Sequence, residues 1–88
     1  MTKRLSLRLY VAGNAPNSLK AIANLRAIVT EHHPGTSIEI VDLLEKPAQA
    51  FEDGILVTPT LVRLSPPPRI RIIGNLSETS QVLLALSA

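Results

Sequence analysis

Apolar and polar residues alternate at the start of the chain: Leu5, Leu7, Leu9 and Val11 are interrupted by Ser6, Arg8 and Tyr10. A period of two marks a strand with one buried face, here running from Leu5 to Ala12. The period then lengthens. Leu19, Ile22, Leu25 and Val29 recur at helical spacing, with Ala21 and Ala27 filling small gaps. This predicts a helix of about four turns that begins near Ser18. Gly13 relaxes the backbone before it, Asn17 or Ser18 is suited to cap it, and Pro34-Gly35 stops it. Ile38 to Leu44 reads as a second strand, because its centre, Ile38-Glu39-Ile40-Val41, is rich in β-branched residues. A strand, a helix and a strand in this order form a right-handed βαβ unit with parallel strands.

The second half has shorter periods. Pro47 suits the first position of a short helix and Gly54 the position just past its end. A helix this short is marginal alone, so it must lean on the core. Thr60 to Leu64 and Arg69 to Ile73 read as two strands joined by Ser65-Pro66-Pro67-Pro68. Three prolines cannot donate ladder hydrogen bonds, which keeps that connection out of the sheet. Gly74-Asn75 breaks the chain again, and Ser77 is placed to cap a last helix carrying Val82, Leu83 and Leu86. The predicted order is β-α-β-α-β-β-α.

Composition narrows the function classes. Eighty-eight residues make one domain spanning 1–88. Hydrophobic residues make up 45% of it, and Tyr10 and Phe51 are its only aromatics, which predicts an aliphatic core. Nine Lys and Arg against seven Asp and Glu are scattered rather than striped, so no nucleic-acid partner is expected. Residues 1–12 lack an apolar signal region, and no apolar run approaches the roughly 18 residues of a spanning helix. No membrane association is expected, and the absence of cysteine is compatible with a cytoplasmic location. His32-His33 lies at a helix end, where adjacent side chains diverge and no third ligand is near, so no metal site is expected. No Ser/His/Asp set, phosphate loop or supported carboxylate pair is present. The chain is expected to have no catalytic residue, no cofactor and no enzymatic activity.

Asn14-Ala15-Pro16-Asn17 occupies the strand-to-helix junction where thioredoxins keep Cys-x-Pro-Cys, and both cysteine positions read Asn. Disulfide exchange needs a thiolate, so that chemistry is excluded. Thr58-Pro59 stands where thioredoxins place a cis-proline, and it is expected to be cis. The predicted element order resembles the minimal thioredoxin topology. A thioredoxin-like frame without its chemistry points to recognition of another molecule. Asn14, Pro16, Asn17, Pro59 and Gly74 are the expected structural hinge residues.

A second resemblance covers nearly the whole chain, from about Leu5 to Leu86. Leu9-Tyr10-Val11-Ala12-Gly13-Asn14 followed by Pro16-Asn17-Ser18 resembles the opening of the KaiB family of circadian-clock proteins. Ile55-Leu56, Thr58-Pro59-Thr60-Leu61, Pro66-Pro67-Pro68, Ile72-Ile73-Gly74 and Leu76-Ser77 match its second half in order. The resemblance implies a non-enzymatic protein that binds the ring ATPase KaiC, in competition with a sensor-kinase domain of thioredoxin-like shape. It also implies two folds. One is the thioredoxin-like βαβαββα state, expected as a monomer. The other is a βαββααβ ground state that forms dimers or tetramers. Gly54, where the family commonly has Lys, ends the short helix cleanly and favours the thioredoxin-like state. Lys20, Arg63 and Arg71 keep the family's basic character, whereas Glu39 and Glu45 replace Lys and Phe51 replaces Glu. These six residues are the expected partner-binding set. Phe51 has two open roles, interface anchor or pin of the short helix to the core. Reversed charges at a contact select against like-charged partners, so the expected partner is a KaiC-type ATPase or a related signalling protein.

Overall fold

The computed structural model describes residues 4–87. Its elements follow the predicted order: β1 (Ser6–Val11), α1 (Pro16–His32), β2 (Ser37–Asp42), α2 (Pro47–Glu52), β3 (Thr60–Ser65), β4 (Ile70–Ile73) and α3 (Thr79–Ser87). The strands form one sheet in the order β2-β1-β3-β4. β1 and β2 run parallel, Leu7 beside Ile38 and Tyr10 beside Val41. β3 runs antiparallel to β1, and β4 antiparallel to β3. The parallel pair is the one joined by α1, since only a long crossover can return the chain in the same direction.

Helices lie on both faces of this sheet, and the two sets of alternate strand positions serve two cores. Leu5, Leu7, Leu9 and Val11 point to one face with Leu61, where Ala21, Leu25, Ile28 and Val29 of α1 meet Val82 and Leu86 of α3. Tyr10, Val41 and Val62 point to the other face and pack with Ala50 of α2 and Ile55. β1 therefore has two covered faces along its second half, where alternation predicts one. Tyr10, predicted on a polar face, is fully buried, so the second core has an aromatic centre rather than a purely aliphatic one.

Local details differ from expectation where side chains and a proline redirect backbone hydrogen bonds. α1 starts at Pro16, one residue after an Ala15 cap that makes no side-chain hydrogen bond. Proline suits this first position because its missing N–H would have had no helical partner. Neither Asn17 nor Ser18 caps the helix, since both lie inside it. The Ser18 hydroxyl instead accepts the Ala12 N–H at 3.0 Å. Leu19, predicted on the core face of α1, is exposed, and Ile28 takes the buried place. β2 ends at Asp42 rather than Leu44, because the Asp42 carboxylate accepts the N–H groups of Gly13 and Leu44 at 3.0 and 2.9 Å. That side-chain turn diverts the chain from the ladder. α3 starts at Thr79, beyond the expected Ser77 cap. The Ser77 N–H donates to the Asn75 side-chain carbonyl at 3.1 Å, within the turn that precedes the helix.

Candidate functional site

The carboxyl ends of β1 and β2 collect the loops that carry unusual sequence. The 12–17 turn leaves β1 there, the 42–46 turn leaves β2, and the segment from Gly54 to Pro59 enters β3 opposite Tyr10. Open α/β sheets place ligand contacts at this end. Asp42 ties the first two loops together through Gly13 and Leu44. Thr58-Pro59 is cis, and the Pro59 carbonyl accepts the Gly74 N–H at 3.0 Å, which joins the third loop to the end of β4. The expected hinge residues thus fall in two places: Asn14, Pro16 and Asn17 are exposed at the start of α1, and Pro59 and Gly74 bond to each other.

Beside these loops, α2 crosses only part of its sheet face. Phe51 is 86% exposed and Leu56 is 93% exposed. Val57 and Ile73 are also exposed. Leu56, Val57, Thr60, Arg71 and Ile73 line a shallow groove of about 120 Å³ between the 54–57 segment and β4. Phe51 therefore does not pin α2 to the core, and Ala50 fills that role. The larger hollow, about 420 Å³, is bounded by Arg4, His32, His33 and Pro34 at the opposite end of the sheet.

A polar cluster underlies the same face. The Arg8 guanidinium donates to Glu39 Oε1 at 2.6 Å and to Asp53 Oδ2 at 3.0 Å. The Tyr10 hydroxyl donates to the same Asp53 oxygen. Arg71 donates to the backbone carbonyls of Asp53 and Gly54. The Arg8 pKa is pushed up, chiefly by the hydrogen bond to Glu39 and against the lowering effect of burial, so Arg8 is a permanent cation. Glu39, expected to meet a partner, is thus part of an internal ion pair at the sheet edge.

The six expected partner-binding residues do not share one surface. Glu39, Phe51 and Arg71 lie on the α2 side of the sheet, and Glu45 is exposed in the loop before α2. Lys20 is exposed on α1, in the layer across the sheet. Arg63 corrects the expectation most sharply, being only 1% exposed. Its guanidinium donates to the carbonyls of Ala85 and Leu86 at 3.1 and 3.3 Å and of Pro68 at 3.0 Å. A planar fork of donors matches the carbonyls at a helix C-terminus, where a cation is also favoured by the helix dipole. Arg63 is a structural clamp in this fold.

Sequence reasoning missed Arg8, Tyr10 and Asp53. The available signal was that Arg8 and Tyr10 are two apart on one strand, so they share the face a short helix must cover. Among the described residues, no helix is long and apolar enough to cross a membrane.

Known proteins show the same frame. The chain resembles the N-terminal domain of SasA from Synechococcus elongatus with a TM-score of 0.75 and 24% identity, covering 93% of this chain and 78% of that one. It resembles mitochondrial thioredoxin 3 from Saccharomyces cerevisiae with a TM-score of 0.78 and 17% identity, covering 98% and 79% of the two chains. At such identities the likeness establishes the thioredoxin-like fold. Sequence goes further. "Circadian clock oscillator protein KaiB" of Prochlorococcus marinus strain MIT 9312 is 47% identical over 85 residues, covering 96% of this chain and 81% of the relative. The protein of the same description from Microcystis aeruginosa is 46% identical, covering 96% and 82%. The KaiB domain model matches residues 8–88, from the first arginine of the polar cluster onward. With the fold, the motif order and these relatives in agreement, the chain belongs to the KaiB family.

Proposed function

We propose that this chain is a non-enzymatic, clock-type regulator that docks on a KaiC-type ATPase through the exposed face around α2. The observation that carries this reading is the display of Phe51, Leu56, Val57 and Ile73 beside α2, at the carboxyl end of a thioredoxin-like sheet that has no cysteine. Neighbouring large apolar side chains in water mark interaction sites, and an exposed aromatic is a common anchor of such sites. Family membership and relatives described as circadian clock oscillator proteins supply the partner class. In this reading Arg71 and Glu45 supply charge on the α2 side, Glu39 acts there through its pair with Arg8, and Lys20, in the α1 layer, lies outside the docking face. Asn14, Pro16, Asn17, Pro59 and Gly74 keep the loops at the carboxyl end in register. The working form is a cytoplasmic monomer in the thioredoxin-like state.

The test is co-purification with the KaiC-type protein encoded by the same genome, with and without ATP. The expected result is a complex that Phe51→Ala weakens about ten-fold, the loss of roughly 1.4 kcal/mol at one anchor. No complex under either condition would end this reading.

A further inference from the structure

α2 has too little apolar burial to hold itself on the sheet. It is six residues long, and Ala50 is its only buried residue. Isolated helices of this length are unstable, and one alanine side chain offers little area to compensate. Its C-cap residue is Asp53, and a carboxylate at a helix C-terminus meets the negative end of the helix dipole. That placement is unfavourable unless donors compensate it.

The donors come from the sheet. Arg8 and Tyr10 of β1 both reach the Asp53 carboxylate, and Arg71 of β4 donates to the carbonyls of Asp53 and Gly54. Arg8 is held in turn by Glu39 of β2. Two strands, braced by a third, therefore converge on the C-terminal end of one short helix. We infer that Asp53, with Arg8, Tyr10 and Arg71, is a polar latch that fixes α2 on the sheet and so sets the presentation of Phe51 and Leu56. This inference deepens the docking reading above and rests on it for its binding consequence. Arg8, Tyr10 and Asp53 act as positioning residues, since their polar groups are spent inside the chain.

Amide hydrogen exchange on the full chain tests the latch without any partner. The Ala50, Asp53 and Ile55 amides donate within and just after α2, to the carbonyls of Lys46, Gln49 and Ala50. In Asp53→Asn, exchange at these three amides is expected to accelerate about ten-fold relative to Leu9 in the central strand. Tyr10→Phe keeps the buried ring and should give a smaller change of the same pattern. Tyr10 is the only tyrosine and the chain has no tryptophan. Its emission, quenched by a carboxylate that accepts the phenol proton, should therefore rise in Asp53→Asn. Affinity for the purified KaiC-type ATPase is expected to fall about ten-fold in Asp53→Asn. Phe51→Ala should lose affinity with α2 exchange unchanged. Exchange in Asp53→Asn no faster at α2 than at Leu9 would overturn the latch. Faster exchange with undiminished affinity would overturn its coupling to docking. Failure of the wild-type chain to bind would instead count against the docking reading, and the exchange result would then decide the latch alone.

Discussion

Arg63 and Tyr10 show how far a residue's role depends on what lands on it. From the sequence, Tyr10 reads as a polar-face residue and Arg63 as a partner-binding one until the helices are in place. α3 closes over Arg63 and offers it the carbonyls of its own last turn, while α2 closes over Tyr10 and brings Asp53. No local pattern encodes either event, because each partner lies more than twenty residues away in sequence. Replacing Arg63 should thus act on stability rather than on binding. Arg63→Met would remove the charge-assisted hydrogen bonds to Pro68, Ala85 and Leu86 and leave the buried Leu86 carbonyl without this donor, an expected cost of about 3 kcal/mol by urea denaturation. Arg63→Lys retains the charge without the planar fork and should recover less than half of that loss.

Elements were legible where a period was sustained and less so where a side chain competed with the backbone. The β-α-β opening could be read directly, because alternation and helical spacing follow each other with clear breakers between them. The end of β2 was not legible, because it is set by where Asp42 finds its two N–H partners. α2 was legible from its Pro47 and Gly54 boundaries, but which of its residues faced inward was not, since six residues carry less than two turns of pattern. Two outcomes follow for this element. Phe51→Ser should change folding stability by no more than about 0.5 kcal/mol, because the side chain is exposed. Gly54→Lys should destabilise the thioredoxin-like state by about 1 kcal/mol in the same denaturation assay, because Gly54 has φ +70° and a side chain there is sterically strained. An added Cβ would also lie 3.5 Å from the Arg71 guanidinium that holds the end of α2.

At the scale of the whole molecule, the sequence carried the fold and only part of the site. Its element order and the Thr58-Pro59 position led to the thioredoxin-like sheet, and the order β2-β1-β3-β4 agrees with that reading. The six expected partner-binding residues spread over both layers and the interior, since charge type along a chain says nothing about which sheet face a residue reaches. The docking face proposed instead is apolar, built on the exposed Phe51 and Leu56, with the Arg8, Tyr10 and Asp53 cluster as its inferred support. This placement requires α3 to remain helical over Thr79–Ser87, so backbone chemical shifts of the free chain should be helical throughout that segment. Strand-like shifts there would indicate the alternative packing.

The most direct test of the docking face is a nuclear magnetic resonance titration of the labelled chain with the KaiC-type ATPase of the same genome. Docking through the α2 face predicts loss or shift of the Phe51, Gly54, Leu56 and Val57 amide signals, with those of His32 to Thr36 at the far end of the sheet unchanged. Saturating ATPase that leaves the first group untouched, or that perturbs only the second, would contradict it.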